Sequence, residues 1–283
     1  MILDALQKAI TNLVHRPVLW IPGIYAGIIG FSVIWLELTG EEFAAGKIVI
    51  LSLIAFPFFL GILNHLLQGV ESSPKELVSA GLKNYFPVLL PSIILGGIII
   101  LMVFIISIPF SLMGYGDEPT IIGGFLIGIS IPALFFSIYT DNVAVCEKTR
   151  IIPTLQKSLE TVGKNFFGTV AYVLTGGIAF IILSFLGSFI WVLGLADRFA
   201  PYLEMNITTQ QETFSHFTLD DWLSLIGTEG AVITAAVFGF ILFFLVPFLF
   251  VFKYYCYKGI SEQIPEVQKI QGEYDEKGRW YKY

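Results

Sequence analysis

The chain has 283 residues, of which 55% are hydrophobic and only 13% are charged, and its formal net charge is −6. Soluble domains carry about 25% charged residues, so this composition excludes an ordinary soluble protein. The mean hydropathy of +0.79 and uncharged stretches of ~20 residues, the length that crosses a bilayer, indicate an all-α polytopic membrane protein. The sequence has no basic run with interleaved aromatic residues, so no nucleic-acid partner is predicted.

The first sixteen residues predict an amphipathic helix that lies along the membrane surface. Leu3, Leu6, Ile10 and Leu13 recur at helical spacing, and Asp4 falls where a signal peptide would be basic.

Six membrane-spanning helices are predicted after this segment. Internal proline and glycine residues do not argue against them, because a helix in lipid keeps its backbone groups paired. The predicted spans are residues 17–36, 48–67, 85–113, 120–140, 167–195 and 230–252.

The distribution of basic residues predicts the orientation of the chain. Fourteen of the sixteen Lys and Arg residues fall in the N-terminus, in segments 68–84 and 141–166, and from Lys253 onward. Because cytoplasmic loops are enriched in basic residues, both ends are predicted to be cytoplasmic in a multi-pass protein of the cell membrane. Cys146 and Cys256 would then lie near the reducing side as free thiols.

The segment 196–229 is predicted to be an extracytoplasmic loop. Thr218 resembles a helix N-cap with Asp221 reaching back to it. Asn206-Ile207-Thr208 fits the N-glycosylation pattern, so Asn206 is a candidate acceptor in a glycosylating host.

An internal repeat is predicted from three prolines in the middle of the even-numbered spans, which are also candidate helix hinges: Pro57, Pro132 and Pro247. A second proline follows each of them on the cytoplasmic side: Pro74, Pro153 and Pro265.

The odd-numbered spans repeat as well. Leu6-Gln-Lys-Ala-Ile10 matches Leu155-Gln-Lys-Ser-Leu159, and Lys83-Asn84 matches Lys164-Asn165, while Ser73-Pro74 reads as a helix cap. We therefore predict three pseudo-repeats, each of a cytoplasmic amphipathic helix plus a helical hairpin. Their boundaries are 1–68, 69–148 and 149–258, followed by a cytoplasmic tail at 259–283 that is either disordered or a docking peptide.

Three segments carry a resemblance to a known group of proteins: Arg16-Pro-Val-Leu-Trp-Ile-Pro-Gly23, Asp141–Lys148 and Pro153-Thr-Leu-Gln-Lys-Ser-Leu-Glu160. The chain resembles a broad group of uncharacterised prokaryotic six-helix membrane proteins related to the membrane domain of glycerophosphodiester phosphodiesterases. The hydrolase domain of those enzymes has no counterpart in this sequence and the role of their membrane domain is not established, so the resemblance implies a membrane fold and little about function.

Groups that carry catalysis are scarce. The three histidines, His15, His65 and His216, have no metal-ligand spacing, and neither a phosphate-binding glycine loop nor a nucleophile elbow occurs. We therefore expect no enzyme activity, no cofactor and no metal.

One group of polar and aromatic residues is a candidate ligand site. These residues lie seven and eight positions past each repeat proline, with two charged residues beside them: Asn64, His65, Tyr139, Thr140, Tyr254 and Tyr255, flanked by Asp141 and Lys253. Two interpretations are open. The residues form a shallow site for a lipid head group or small polar ligand, or they belong to the ordinary aromatic belt and helix ends.

Two functions from different classes fit the sequence. The first is a non-catalytic accessory or scaffold subunit that packs with membrane lipids and other membrane proteins. The alternative is a transporter or channel-like protein for a lipid-like or small molecule, because repeats with kinked helices are common in transporters. A cavity that reaches the middle of the membrane would favour the alternative.

Overall fold

The computed structural model describes residues 2–69, 73–112, 119–262, 272–274 and 280–282. Almost all of these residues are helical, and a 3₁₀ turn at Pro17–Trp20 joins the first two helices. The helices are α1 (Ile2–His15), α2 (Ile21–Leu38), α3 (Glu42–Leu67), α4 (Pro74–Phe110), α5 (Pro119–Phe136), α6 (Thr140–Glu147), α7 (Ile151–Lys164), α8 (Phe166–Gly194), α9 (Ala196–Leu203), α10 (Ile207–Ser215) and α11 (Leu219–Ser261). In the tail, β1 (Gly272–Tyr274) pairs antiparallel with β2 (Trp280–Lys282).

Six helical segments in the described residues are long and apolar enough to cross a membrane, which confirms the multi-pass prediction. Each overlaps one predicted span, although Met113, the predicted end of span three, lies outside the described residues. The segments are Pro17–Leu38, Glu42–Leu67, Pro74–Phe110, Gly123–Glu147, Phe166–Gly194 and Asp221–Ser261.

Local capping fixes where two of the long helices begin. The Ser73 hydroxyl accepts a hydrogen bond from the Glu76 backbone N–H, the Glu76 carboxylate accepts one from the Ser73 N–H, and Pro74 occupies the first helical position. Thr218 and Asp221 form the same reciprocal pair at the start of α11, whose helical conformation is interrupted by a kink at Gly227 with φ +60°. Both predicted caps are confirmed, because they depend on residues only three positions apart.

The most extensive contact between two helices in the described residues is that of α2 with α11. A Cβ added at Gly27 would lie 3.0 Å from the Gly239 carbonyl oxygen, and one added at Gly239 would lie 2.7 Å from the Gly27 carbonyl oxygen. Helices in lipid associate through such small residues, since the surrounding lipid is itself apolar. α11 also packs against α8 and α1, so it is the central helix.

The predicted surface helix of the second unit is continuous with span three in α4, whereas α7 and α8 are separate helices. The matched asparagines differ between the two places. Asn165 leaves the helical conformation, and its side chain accepts a hydrogen bond from the Gly168 N–H at the start of α8. The Asn84 side chain instead donates to the Gly61 carbonyl oxygen of α3 at 3.4 Å, so it is not used as a cap.

Most of the buried side chains among the described residues lie at one end of the bundle, formed by α1, α6, α7 and residues 251–261 of α11; we call this the basic end. Its core joins all of those helices to the last turns of α3, and includes Leu13, Leu63, Val143, Val162 and Phe252. The other half of the bundle presents large apolar side chains outward, as on α8 at Phe180, Phe185 and Phe189. Lipid accounts for that exposure, because it solvates apolar surface.

Candidate functional site

Four polar side chains from three helices meet inside the basic end, and we call them the polar cluster: Asn64, Asp141, Asn142 and Lys253. Asn64 comes from the last turns of α3, Asp141 and Asn142 from the first turn of α6, and Lys253 from α11. All four are buried, with at most 8% of any residue exposed.

An ion pair is the strongest contact in the polar cluster. The Lys253 Nζ atom lies 2.6 Å from Asp141 Oδ1 and 4.2 Å from the centroid of the Phe250 ring. The second carboxylate oxygen of Asp141 accepts a hydrogen bond from Asn64 Nδ2 at 3.4 Å. Both oxygens of the buried carboxylate therefore have a donor, which is the condition under which a buried charge is tolerated.

Asn142 extends this network by one step. Its Nδ2 donates to Asn64 Oδ1 at 2.7 Å, while its own Oδ1 is buried and has no hydrogen-bond partner among the described residues. A buried acceptor without a partner is rare in folded proteins and raises the energy of the site. Asn142 is not among the ligand residues predicted from the sequence.

A break in the fourth membrane span determines where Asp141 and Asn142 of the polar cluster lie. α5 ends at Phe136, and the chain turns through backbone hydrogen bonds from Ile138 N to Phe135 O and from Thr140 N to Ser137 O before α6 begins. Both bonds join residues three positions apart, so the turn is tighter than an α-helix. The change of direction carries Asp141 and Asn142 toward α3.

The far end of α6 is held by a second set of contacts. The Tyr257 hydroxyl of α11 donates to Glu147 Oε1 at 2.5 Å, and Lys157 of α7 forms an ion pair with the same carboxylate. Lys148 then ends the helix in the left-handed conformation, with φ +52°. α6 is thus fixed at both ends between α11 and α7.

A cavity of about 300 Å³ lies beside the polar cluster, and we call it the α4 cavity. Asp141 and Lys253 line one part of it. Another part is a largely apolar face of α4, formed by Val88, Pro91, Leu95, Gly96 and Ile99 together with Ser92.

The α4 cavity opens at the surface of the bundle, because its lining includes Leu134, a side chain 57% exposed. Three hydroxyl groups are its other polar lining: Ser92, Ser137 and Thr140. The cavity therefore joins an apolar wall to a charged region.

The structure brings together only some of the predicted ligand residues. Asn64, Asp141 and Lys253 meet in the polar cluster, and Thr140 lines the α4 cavity. His65 is half-buried. It follows Asn64 in α3 and is therefore rotated by about 100° around the helix axis from it.

The three predicted tyrosines lie in other surroundings. Tyr139 is fully buried, with its hydroxyl 3.4 Å from the Thr169 hydroxyl. Tyr254 is buried in the core of the basic end. Tyr255 lines a different cavity of about 590 Å³ between α1 and α11, together with Asp4, Lys8, Asn12, Lys258 and Glu262.

The predicted hinge prolines lie inside long helices: Pro57 in α3, Pro132 in α5 and Pro247 in α11. Pro247 packs tightly against α2, since a Cβ added at Gly23 would lie 2.9 Å from its Cγ atom. Hinge motion at these prolines stays a prediction.

The outer loop carries the predicted glycosylation residue. Asn206 is exposed at the N-cap of α10, where its Oδ1 accepts a hydrogen bond from the Thr208 N–H at 3.4 Å. Glycosylation stays a prediction.

Within the described residues, no group of three His, Cys, Asp or Glu side chains is placed to hold a metal ion. Compared with known proteins, the chain matches no protein-family model, no curated protein and no solved structure. The resemblance to the membrane domain of glycerophosphodiester phosphodiesterases therefore stays a prediction from sequence motifs.

Proposed function

We propose that this chain is a non-catalytic integral membrane protein that holds a lipid-like, amphipathic molecule in the α4 cavity, in an accessory or scaffold role. The observation that carries the proposal is the composition of that cavity. Part of its lining is a largely apolar helix face, and another part is the buried Asp141–Lys253 ion pair. An amphipathic molecule has the same division into an apolar part and a polar part.

The size of the cavity limits how much of a lipid it holds. Small-molecule sites have volumes of about 300–1,000 Å³, and the α4 cavity, at about 300 Å³, is at the lower end. It suits a head group and the first carbons of an acyl chain. The remaining chain would extend through the opening beside Leu134 into the bilayer.

Binding suits the polar cluster better than proton transfer does. Asp141 and Lys253 are paired with each other, and Asn64 fills the remaining carboxylate position. Buried charges are costly unless they are paired, and both members of this pair are buried at the end of a membrane span. An ion pair of zero net charge in a cavity lining can bind a ligand through an opposite charge at each of its two members.

The proposed orientation places the basic end in the cytoplasm, with both chain ends there, in the cell membrane. It is supported by the positive-inside distribution of Lys and Arg. The ligand site would then lie at the depth of the cytoplasmic leaflet. Membrane lipids and neighbouring membrane proteins are the proposed partners.

The proposed three-unit repeat is supported by a cyclic pattern of packing, in which the surface helix of each unit contacts another unit. α1 packs on α11 of the third unit, and the start of α4 packs on α3 of the first. α7 packs on α6 and α5 of the second, where the Ser158 hydroxyl donates to the Phe136 carbonyl oxygen at 3.0 Å. The α1 face that packs inward consists of Ala5, Ala9 and Leu13, whereas Leu3 and Ile10 of the predicted apolar stripe are exposed.

Transport of the same molecule is a second candidate, favoured by the length of the α4 cavity. Its lining extends from Lys253 to Ile99, which lies near the middle of the apolar part of α4. In liposomes with the purified protein, movement of a fluorescent lipid between leaflets would favour transport, and its absence would favour the accessory role.

The test of the proposed function is lipid retention by two matched variants. Gly96 lines the cavity and Gly97 does not, and an added Cβ at either position meets open space. Gly96→Leu is expected to fill the cavity and remove a lipid that co-purifies in native mass spectrometry, while Gly97→Leu is expected to retain it. Equal retention by both variants, or no retained lipid in the parent protein, would contradict the proposal.

A further inference from the structure

The charges of the α4 cavity sum to zero. Asp141 and Lys253 supply one negative and one positive group, and the rest of the cavity lining is uncharged. A ligand with only an anionic head group would approach the carboxylate of Asp141 as well as the ammonium of Lys253. A ligand that carries both signs would meet an opposite charge at each.

The hydroxyl groups in the cavity wall add a second constraint. Ser92 donates its proton to the Val88 carbonyl oxygen at 3.3 Å, and Ser137 donates to Leu134 at 3.1 Å. Thr140 donates to the Ser137 carbonyl oxygen at 2.6 Å.

With their protons engaged in this way, the three hydroxyls present lone pairs to the cavity. Together with the Asp141 carboxylate they form a lining that is rich in acceptors. The Lys253 ammonium is the charged donor beside them.

We propose that the ligand is a phospholipid whose zwitterionic head group ends in a primary ammonium, as phosphoethanolamine does. This inference rests on the proposed function and specifies its ligand. The phosphate would pair with Lys253 and the ammonium with Asp141, so the internal ion pair is exchanged for two pairs with the lipid. A primary ammonium has three N–H donors for the carboxylate and hydroxyl acceptors.

A quaternary ammonium head group fits this lining less well. It has no N–H group, so Asp141 would lose its bond from Lys253 without gaining another donor. The loss of one hydrogen bond to a charged group corresponds to a preference of about tenfold or more for the primary ammonium.

The experiment uses the full chain in nanodiscs of defined composition, read by native mass spectrometry after release into mild detergent. Four head groups of matched acyl chains are compared: phosphoethanolamine, its N-monomethyl form, phosphocholine and phosphoglycerol. The parent protein is expected to retain the phosphoethanolamine lipid about tenfold more than the phosphocholine or phosphoglycerol lipid. The N-monomethyl lipid, which keeps two N–H donors, is expected to fall between them.

The matched glycine variants separate the two proposals. Phosphoethanolamine retention that is lost in Gly96→Leu and kept in Gly97→Leu supports the ligand class. Two outcomes overturn the ligand class and leave the proposed function standing. In the first all four lipids are retained equally, and in the second the phosphoglycerol lipid is preferred; in both, retention is lost in Gly96→Leu and kept in Gly97→Leu. Retention that is insensitive to Gly96→Leu, or no retention of any lipid, overturns both.

Discussion

The buried Asp141–Lys253 pair gives the most specific prediction for the stability of the bundle. The two charged atoms lie 2.6 Å apart, and the side chains are 10% and 7% exposed, so solvent screens them little. Lys253→Met removes the ammonium and leaves the carboxylate buried with only the Asn64 amide as donor. Removing one partner of a buried pair costs about 3–5 kcal/mol, so we expect a loss of that size in the free energy of unfolding.

The assay is reversible unfolding in mixed micelles by SDS titration, followed by circular dichroism. Lys258→Met is the control, because Lys258 is an exposed lysine on the same helix and its replacement should change stability by less than about 0.5 kcal/mol. In the double variant Asp141→Asn/Lys253→Met the buried charges are gone and an acceptor for Asn64 remains. We expect it to be more stable than Lys253→Met alone, with a coupling of up to about 3 kcal/mol.

Two results would refute this reasoning. If Lys253→Met unfolds with the same free energy as Lys258→Met, the ion pair does not contribute to the folded state. If the losses of Asp141→Asn and Lys253→Met simply add in the double variant, the two side chains do not interact across the bundle.

Three further predictions use the same unfolding assay. Gly239→Leu should destabilise strongly, by more than about 2 kcal/mol, because its Cβ would lie 2.7 Å from a backbone oxygen of α2, whereas Gly46→Leu, which meets open space, should be close to neutral. Tyr257→Phe removes the hydroxyl that donates to Glu147 and should cost about 1.5–3 kcal/mol; no loss would mean that α6 is not held by this bond. Ser73→Ala should cost about 1 kcal/mol by removing the cap of α4, and an unchanged midpoint would contradict that role.

Features that depend on neighbouring residues were predictable from the sequence. The six apolar segments follow from length and composition alone, and the caps at Ser73 and Thr218 follow from residues three positions apart. The break between α7 and α8, and its absence within α4, were not predictable, because Asn84 and Asn165 stand in similar local sequences. Their roles differ because Asn84 has the Gly61 carbonyl of another helix within reach.

The candidate site was predictable only in part. Asn64, Asp141 and Lys253 were selected, but as members or neighbours of a set defined by a fixed distance from the repeat prolines. The residues that meet lie seven, nine and six positions past Pro57, Pro132 and Pro247. The turn after α5 changes the number of residues between the proline and the polar cluster in the second unit. Counting the same seven positions past each proline therefore selects Tyr139 and Tyr254 and misses Asp141 and Lys253.

The ion pair itself joins residues 112 positions apart, and no local pattern specifies such a contact. Asn142 had a usable signal, because Thr140-Asp141-Asn142 places three polar residues together at the end of an apolar span. Polar groups in a membrane segment require partners within the protein. From that requirement a buried polar network around Asn142 was predictable, but the helices that supply its other members were not.

The most direct test of lipid binding in the α4 cavity is photo-cross-linking with a phospholipid that carries a diazirine on the first carbons of its acyl chain. The full chain is irradiated in its own membrane, and the modified residues are identified by peptide mass spectrometry. Binding in the cavity predicts adducts concentrated on residues 88–99 and 134–138, and their loss in Gly96→Leu but not in Gly97→Leu. Adducts spread evenly over exposed apolar surfaces such as Phe180, Phe185 and Phe189 of α8 would contradict it.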